Sequence, residues 1–255
     1  MASNHYCVIM AGGIGSRFWP KSRQTMPKQF LDILGTGKSF IRHTYERFAA
    51  IIPSENFLVV TNRKYKALVL EHLPELNESQ VLCEPIGRNT APCIAYAAYS
   101  LQKINPKAQM VVTPADHLIL GEEEFRGIIG ECMEFASKSG SLLTVGIKPT
   151  RPETGFGYIE AALGNASLSN KEIYRVDSFK EKPDIDTATT YISKKNFYWN
   201  SGVFIWNVQT VVNAFRIYQP QIAQIFESML PVYGTAEESA VLAEKFPYCR
   251  NISVD

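Results

Sequence analysis

Short apolar runs that alternate with helix-length segments through the first 150 residues predict an α/β fold. The expected architecture is Rossmann-like: a mixed, mostly parallel sheet with helices on both faces. Three observations carry the expectation. The runs Cys7-Val8-Ile9-Met10, 57–61, Val81-Leu82-Cys83 and Met110-Val111-Val112-Thr113 are nearly all apolar, as strands buried on both faces are. The segments between them carry apolar or small residues at helical spacing. The first run empties into Ala11-Gly12-Gly13-Ile14-Gly15-Ser16-Arg17, a glycine turn of the kind that lets a backbone approach a ligand closely.

Taken in order, residues 40–52 place Phe40, Ile41, Tyr45, Phe48 and Ile52 close to one helical face. A strand at 57–61 follows, then a helix at 65–73 closed by Pro74, a strand at 81–83 and a polar loop from Glu84 to Thr90. Residues 91–104 predict a helix with small residues on one face. The strand at 110–113 runs out at Pro114-Ala115-Asp116-His117, a helix at 125–139 is stopped by Gly140, and 142–147 is a further strand. After about residue 150 the texture changes. Segments 154–160, 173–179 and 197–206 read as strands joined by polar connections, more like an inserted, lid-forming sheet than further strand–helix–strand units. Helices are expected at 208–218, 221–229 and 235–245, and a short strand at 251–255 that ends in the carboxylate of Asp255. The expected division is therefore 1–150 and 151–255.

Bulk properties narrow the function classes. With 255 residues, 45% hydrophobic and 20% charged, the chain can bury a sizeable core. A net charge of +1 gives no overall field for nucleic acid or a membrane surface, so any anion binding must be local. Five scattered cysteines, at 7, 83, 93, 132 and 249, form no C-x-x-C pair, which argues against a zinc site or a disulfide scaffold and fits a reduced, cytoplasmic protein. The first strand starts within about six residues, which leaves no room for a signal peptide, and no apolar run approaches the ~18 residues of a membrane span.

The glycine turn offers several N–H groups to one anion. Arg17 adds a planar fork suited to phosphate oxygens, and Lys28, in Pro27-Lys28-Gln29-Phe30, adds a point charge. The set reads as a site for a polyphosphate and a second phosphorylated substrate, with plain turn chemistry as the alternative for the glycines alone. No Gly-Lys-Ser/Thr follows, so the turn is not a P-loop. The second strand runs into Asn62, where a dehydrogenase would carry an acid for the ribose, so the dinucleotide reading is weak. In parallel sheets ligands bind beyond the carboxyl ends of the strands, and the glycine turn, the Glu84 loop and Asp116 all fall on that edge.

Six segments in order carry a family resemblance: Ala11-Gly12-Gly13-x-Gly15-Ser16-Arg17-x-Trp19-Pro20, Pro27-Lys28-Gln29-Phe30, Gly87-Arg88-Asn89-Thr90-Ala91-Pro92, Pro114-Ala115-Asp116-His117, Glu181-Lys182-Pro183 and Trp199-Asn200-Ser201-Gly202. Over essentially its whole length the chain resembles the mannose-1-phosphate guanylyltransferases, or GDP-mannose pyrophosphorylases, among the sugar-1-phosphate nucleotidylyltransferases. The resemblance implies the nucleotide-diphospho-sugar transferase fold with an inserted sugar-binding sheet or lid. It also implies transfer of GMP from GTP to α-D-mannose 1-phosphate, with release of pyrophosphate. Arg17, Lys28 and Asp116 would be catalytic; Ala11, Gly12, Gly13, Gly15, Ser16, Glu84, Arg88, Asn89, Thr90 and Pro114 would bind the nucleotide. Gly155, Tyr158, Glu181, Lys182 and Asn200 would bind the sugar phosphate, and Asp116 with Asp255 would hold Mg²⁺. Members of the family continue into further helix and a β-structured assembly tail. The resemblance thus implies a chain that stops at the second metal ligand, without that tail, and a homodimer as a possible assembly.

Several positions keep a plainer reading. Asp116 also suits a helix N-cap, as do Asn89 and Thr90. His117 is read as structural. Glu181-Lys182-Pro183 is also an exposed charged turn, Tyr158 a half-buried strand aromatic, and Asp255 a frayed last residue. Ser16, where many relatives have Thr, keeps the hydroxyl, and Met10 replaces a common Leu at similar volume. Another sugar-1-phosphate nucleotidylyltransferase, or a non-catalytic sugar-nucleotide-binding regulatory module, remains the competing function.

Overall fold

The computed structural model describes residues 4–13, 15, 18–162 and 172–255. Four apolar runs form the parallel strands β1 (His5–Met10), β2 (Phe57–Asn62), β3 (Val81–Glu84) and β4 (Gln109–Pro114), in the order β3-β2-β1-β4. The chain leaves β1 towards β2 on one side and later enters β4 on the other. The order therefore reverses between β1 and β4, the switch point where open α/β sheets bind ligands. Met10 is in register with both Val60 and Pro114, so the strand ends at this point are level.

Successive side chains alternate between the two faces of the sheet. Val8, Val60, Met110 and Val112 join one core with helices α3 (Thr90–Ile104), α6 (Val208–Tyr218) and α7 (Pro220–Glu227). Every residue of α3 from Ala91 to Leu101 is buried, which its Ala, Ser and Cys positions make possible by allowing close packing. Helix α1 (Phe40–Ala49) packs on β1, α2 (Lys66–His72) on β2 and β3, and α4 (Glu122–Ser139) on β4, with α1 and α4 also in contact. Three glutamates open α4, where acids suit the helix dipole, and Gly140 closes it in the left-handed conformation. Among the described residues no helix is long and apolar enough to cross a membrane.

The described residues fall into two compact units, one built up to residue 143 together with 204–254, the other from 144–203 with Asp255. Where the sequence suggested halves meeting near 150, the chain instead makes an excursion and returns. Its returning residues 204–207 pair antiparallel with β4, and α6 and α7 then pack on α3. In the second unit, β6 (Tyr158–Ala161) pairs antiparallel with β7 (Val176–Lys180) and with residues 197–199 of β8 (Phe197–Asn207); β5 (Leu143–Ile147) also pairs with β8. Its small core holds Tyr158, Ala188, Phe197 and Trp199, with Tyr191 stacked 4.1 Å from Phe197.

Several expectations are corrected. The strand expected at 154–160 covers only Tyr158–Ala161, because the chain bends at 154–156, and the one expected at 173–179 begins at Val176. Helix α5 (Ile185–Lys194), read as a polar connection, is capped by Asp184, whose carboxylate accepts from Thr187 N at 2.8 Å. Residues 251–255 form no strand. Ile252 O accepts from Ala91 N, and Val254 N donates to Thr90 Oγ1, so their hydrogen bonds go to the start of α3 rather than to a neighbouring strand. Helix α8 spans only Glu238–Lys245, after a run of turns.

Phe226 of α7 is fully buried between Tyr96, Tyr99 and Phe246, at ring separations of 6.0, 6.0 and 6.1 Å. Phe226→Ala is expected to lower unfolding free energy by about 3–5 kcal/mol, read from the shift of the urea midpoint at constant slope. A loss under ~1 kcal/mol would mean that the returning segment is not part of the first core.

Candidate active site

The glycine turn is anchored where it starts. Ala11 N donates to Val60 O at 2.8 Å, while Ala11 O accepts from Gln29 Nε2 at 2.8 Å and Thr61 Oγ1 at 2.9 Å. Gly12 and Gly13 are exposed beyond this anchor. Gly15 has a φ of +68°, and a Cβ there would fall 2.6 Å from Lys28 Cβ, so glycine is required both for conformation and for space. Ile14, Ser16 and Arg17 lie outside the described residues. Residue type alone gives Gln29 of Pro27-Lys28-Gln29-Phe30 no chemical role. Its buried amide proves to be the strut between Lys28's turn and the glycine turn.

Lys28 reaches the carboxyl end of β4. Its Nζ lies 3.1 Å from Asp116 Oδ2, 4.4 Å from the centre of the Phe18 ring and 5.5 Å from that of Phe40. The two rings limit where the ammonium can go while their faces attract it. Ala115 N donates to Met10 O at 3.0 Å, carrying the β1–β4 pairing one residue past the strand and presenting Asp116 at the switch point. The N-cap reading of Asp116 does not hold, since α4 starts six residues later with Gly121 at its cap. Burial lowers the imidazole pKa of the neighbouring His117, against the opposing pull of Asp116.

Glu84 ends β3 and is 5% exposed. Its Oε1 is buried and accepts no hydrogen bond from the described residues, while Oε2 lies 3.4 Å from where a Cβ on Gly12 would stand. Desolvation alone pushes this carboxyl up to about 8. A buried acceptor without a donor, beside an exposed glycine turn, is suited to a ligand that brings its own N–H groups.

The neighbouring loop is less available than expected. Arg88 donates from Nη2 to Pro247 O at 2.6 Å, while its buried Nε has no hydrogen-bond partner among the described residues. Asn89, with φ of 65°, uses its carbonyl to accept from Thr90 N at 2.9 Å, and Thr90 Oγ1 accepts from Val254 N at 2.9 Å. For Asn89 and Thr90 the plainer loop-and-cap reading is therefore the one observed. Pro114 is the last, half-buried residue of β4.

In the second unit, Glu181 and Asn200 flank Gly157, since a Cβ on that glycine would be 3.5 Å from Glu181 Oε2 and 3.7 Å from Asn200 Cβ. Asn200 N donates to Gly157 O at 2.8 Å, and its Nδ2 donates to Asp255 Oδ2 at 2.6 Å. Lys182 Nζ pairs with its exposed neighbour Glu181. Gly155 N donates to Glu153 Oε1 at 3.0 Å. Tyr158 corrects its sugar-binding assignment. Its side chain is fully buried, and its hydroxyl spends its proton on Glu153 O at 2.9 Å and accepts from Glu153 N at 3.0 Å, so the ring is not presented to a sugar.

Among the described residues no group of three or more His, Cys, Asp or Glu side chains is placed to hold a metal. Asp116 nevertheless suits Mg²⁺. It is a hard oxygen donor that already holds a cationic group 3.1 Å away, and Mg²⁺ commonly takes one or two carboxylates and completes its shell with water and substrate phosphates.

A family model described as nucleotidyl transferase matches residues 6–239. The chain is 38% identical over 253 residues to the mannose-1-phosphate guanylyltransferase RfbM of Salmonella typhimurium, covering 97% of this chain and 51% of that protein. It is 37% identical to a mannose-1-phosphate guanylyltransferase of Escherichia coli K12, covering 99% and 53%. The chain thus spans about half the length of these curated relatives. A crystal structure named mannose-1-phosphate geranyltransferase from Thermus thermophilus superposes with a TM-score of 0.86 at 32% identity, covering 99% of this chain and 70% of that one.

Glu84 generates a test that needs no ligand. Its folded pKa of about 8 stands above an ordinary value of 4.5, so its favourable contribution is complete below pH 4.5 and disappears as pH rises to about 8. Glu84→Gln removes this titration. The stability of the variant relative to wild type is expected to rise by a few kcal/mol between pH 4.5 and 8, measured by urea unfolding at several pH values. A difference that is flat with pH would show that the carboxyl is not desolvated.

Proposed function

Because the chain belongs to the nucleotidyl transferase family, we propose that it transfers GMP from GTP to α-D-mannose 1-phosphate, giving GDP-mannose and pyrophosphate. The observation that carries this reading is the Lys28–Asp116 pair, 3.1 Å apart at the sheet's switch point beside the glycine turn. Relatives named for the same reaction, at 37–38% identity over nearly the whole chain, support the choice of substrates.

In the reaction an oxygen of the sugar phosphate forms a bond to the α-phosphorus of GTP as the bond from that phosphorus to the bridging oxygen breaks, and pyrophosphate carries away the electron pair. Both reactants are anions, so the protein's task is neutralisation and alignment rather than covalent attack. Lys28, Arg17 and the backbone N–H groups of Gly12 and Gly13 would serve the triphosphate oxygens as charge moves onto the leaving group. Asp116, with Asp255, would hold Mg²⁺. The chemistry a magnesium ion supplies when bound is neutralisation of phosphate charge. Glu84 would accept from N1–H and N2–H₂ of guanine. In the second unit, Glu181 and Asn200 would accept from and donate to sugar hydroxyls, and Lys182 would grip the sugar phosphate. Gly155 would add close backbone approach. We take the reaction to run in the cytoplasm with both substrates in solution.

Pyrophosphate release from GTP, ATP, UTP and dTTP, each with mannose 1-phosphate, tests the reading directly. GTP should be preferred, and Lys28→Ala, Asp116→Ala and Arg17→Ala should each lose roughly a thousandfold or more in kcat. A clear preference for UTP or dTTP, or near-normal rates in Lys28→Ala and Asp116→Ala, would defeat it.

A further inference from the structure

Helix α1 carries a buried cation that the proposed reaction does not use. Arg47 is 1% exposed, yet its salt bridge, from Nε to Glu122 Oε1, is 3.3 Å long and reaches a carboxylate that is 39% exposed and shared with Arg126. Its Nη1 is buried with no hydrogen-bond partner among the described residues. Burying a guanidinium with incomplete pairing is costly, and a packed apolar side chain of similar length would serve stability at least as well. The arginine therefore needs a reason other than packing.

The remaining contacts supply one. Arg47 Nη2 donates to His117 O at 3.2 Å. One turn earlier on the same helix, Thr44 is fully buried and donates from Oγ1 to Ala115 O at 3.2 Å. These two carbonyls belong to the residues immediately before and after Asp116. Residues 117–121 form no regular element, so after Ala115 N has bonded to Met10 O no strand or helix ladder holds this backbone.

We propose that Thr44 and Arg47 are positioning residues, a two-point clamp from α1 on the peptides flanking Asp116 that aims its carboxylate at the divalent cation and at Lys28. The inference rests on the role proposed above for Asp116. Neither side chain needs to touch substrate. The clamp acts by removing the rotations of the 115–117 backbone that would otherwise swing the carboxylate out of line, and misplacements of an ångström at such a group are worth large factors in rate.

Arg47→Met keeps length and bulk while removing the donors, and Thr44→Val keeps shape while removing one hydroxyl. For Arg47→Met we expect a melting temperature equal to or above wild type and a kcat lower by roughly ten- to a hundredfold. The Mg²⁺ concentration for half-maximal rate should rise severalfold, with the KM for GTP within about twofold of wild type. Faster amide hydrogen exchange at residues 115–121 in the ligand-free protein should accompany the change. Thr44→Val should show the same pattern more weakly, and it carries the test should Arg47→Met fail to fold. Unchanged cation dependence, with exchange at 115–121 as slow as in wild type, would overturn the clamp. A wild-type chain that never releases pyrophosphate would instead overturn the proposed function alone, because the exchange measurement needs no substrate.

Discussion

Lys28 Nζ and Asp116 Oδ2 stand 3.1 Å apart at the place where the order of the parallel strands reverses, and most of what surrounds them exists to keep them there. Asp116 is delivered by β4, whose pairing with β1 extends one residue past the strand through Ala115 N and Met10 O. Lys28 is delivered by a short turn whose next residue, Gln29, ties back to Ala11 O. Gly15 closes the arrangement, because a Cβ at this position would fall 2.6 Å from Lys28 Cβ. A cation and an acid held together in this way are partly self-neutralised when no ligand is present. In the proposed reaction each would exchange that partner for a stronger one, the lysine for phosphate oxygens and the acid for a divalent cation.

The parts of this arrangement that were readable from sequence are those with a local physical signature. Strands buried on both faces are continuous apolar runs, so β1 to β4 were visible within a residue or two at each end. Glycines and the Asp116 strand end announce themselves by residue type. Helix α5 was missed because Thr187, Thr189 and Thr190 are poor helix formers, and its formation depends on the Asp184 cap and on burying Ala188 beside Tyr191. The tail at 251–255 resembles a strand through its alternating Ile252 and Val254, but the backbone groups of these two residues bond to residues over 150 positions away in sequence. Tyr158 illustrates the same limit at the site. An exposed and a buried tyrosine look alike in a sequence, and only the pairing of its hydroxyl with both backbone groups of Glu153 separates them.

Several buried polar groups run against stability, and Arg47 and Glu84 are among those that border the candidate site. Arg47 and Glu84 each leave one buried atom without a partner among the described residues, while the core of the same unit is dense with apolar contacts such as the Tyr96, Tyr99, Phe226 cluster. Folded proteins retain uncompensated polar groups where the surrounding packing can bear the cost, and such groups concentrate at functional sites. The pattern here divides by direction. Arg47 faces the backbone that carries Asp116, whereas Glu84 lies beside the glycine turn.

That direction bears on how a nucleotide base would be selected in the proposed reaction. An acceptor exposed to water loses little when the wrong base arrives, because water can take the place of the missing donor. Glu84 Oε1 is already out of water before any ligand binds, so a base with two adjacent N–H donors relieves an existing deficit, while a base that offers fewer leaves it standing. The same desolvation that raises the carboxyl's pKa to about 8 makes charge-assisted hydrogen bonds to it stronger once the carboxyl has given up its proton to accept them. Selectivity of this kind depends on the burial of one side chain at the end of β3, and hence on the packing of the sheet rather than on additional contacts to the base.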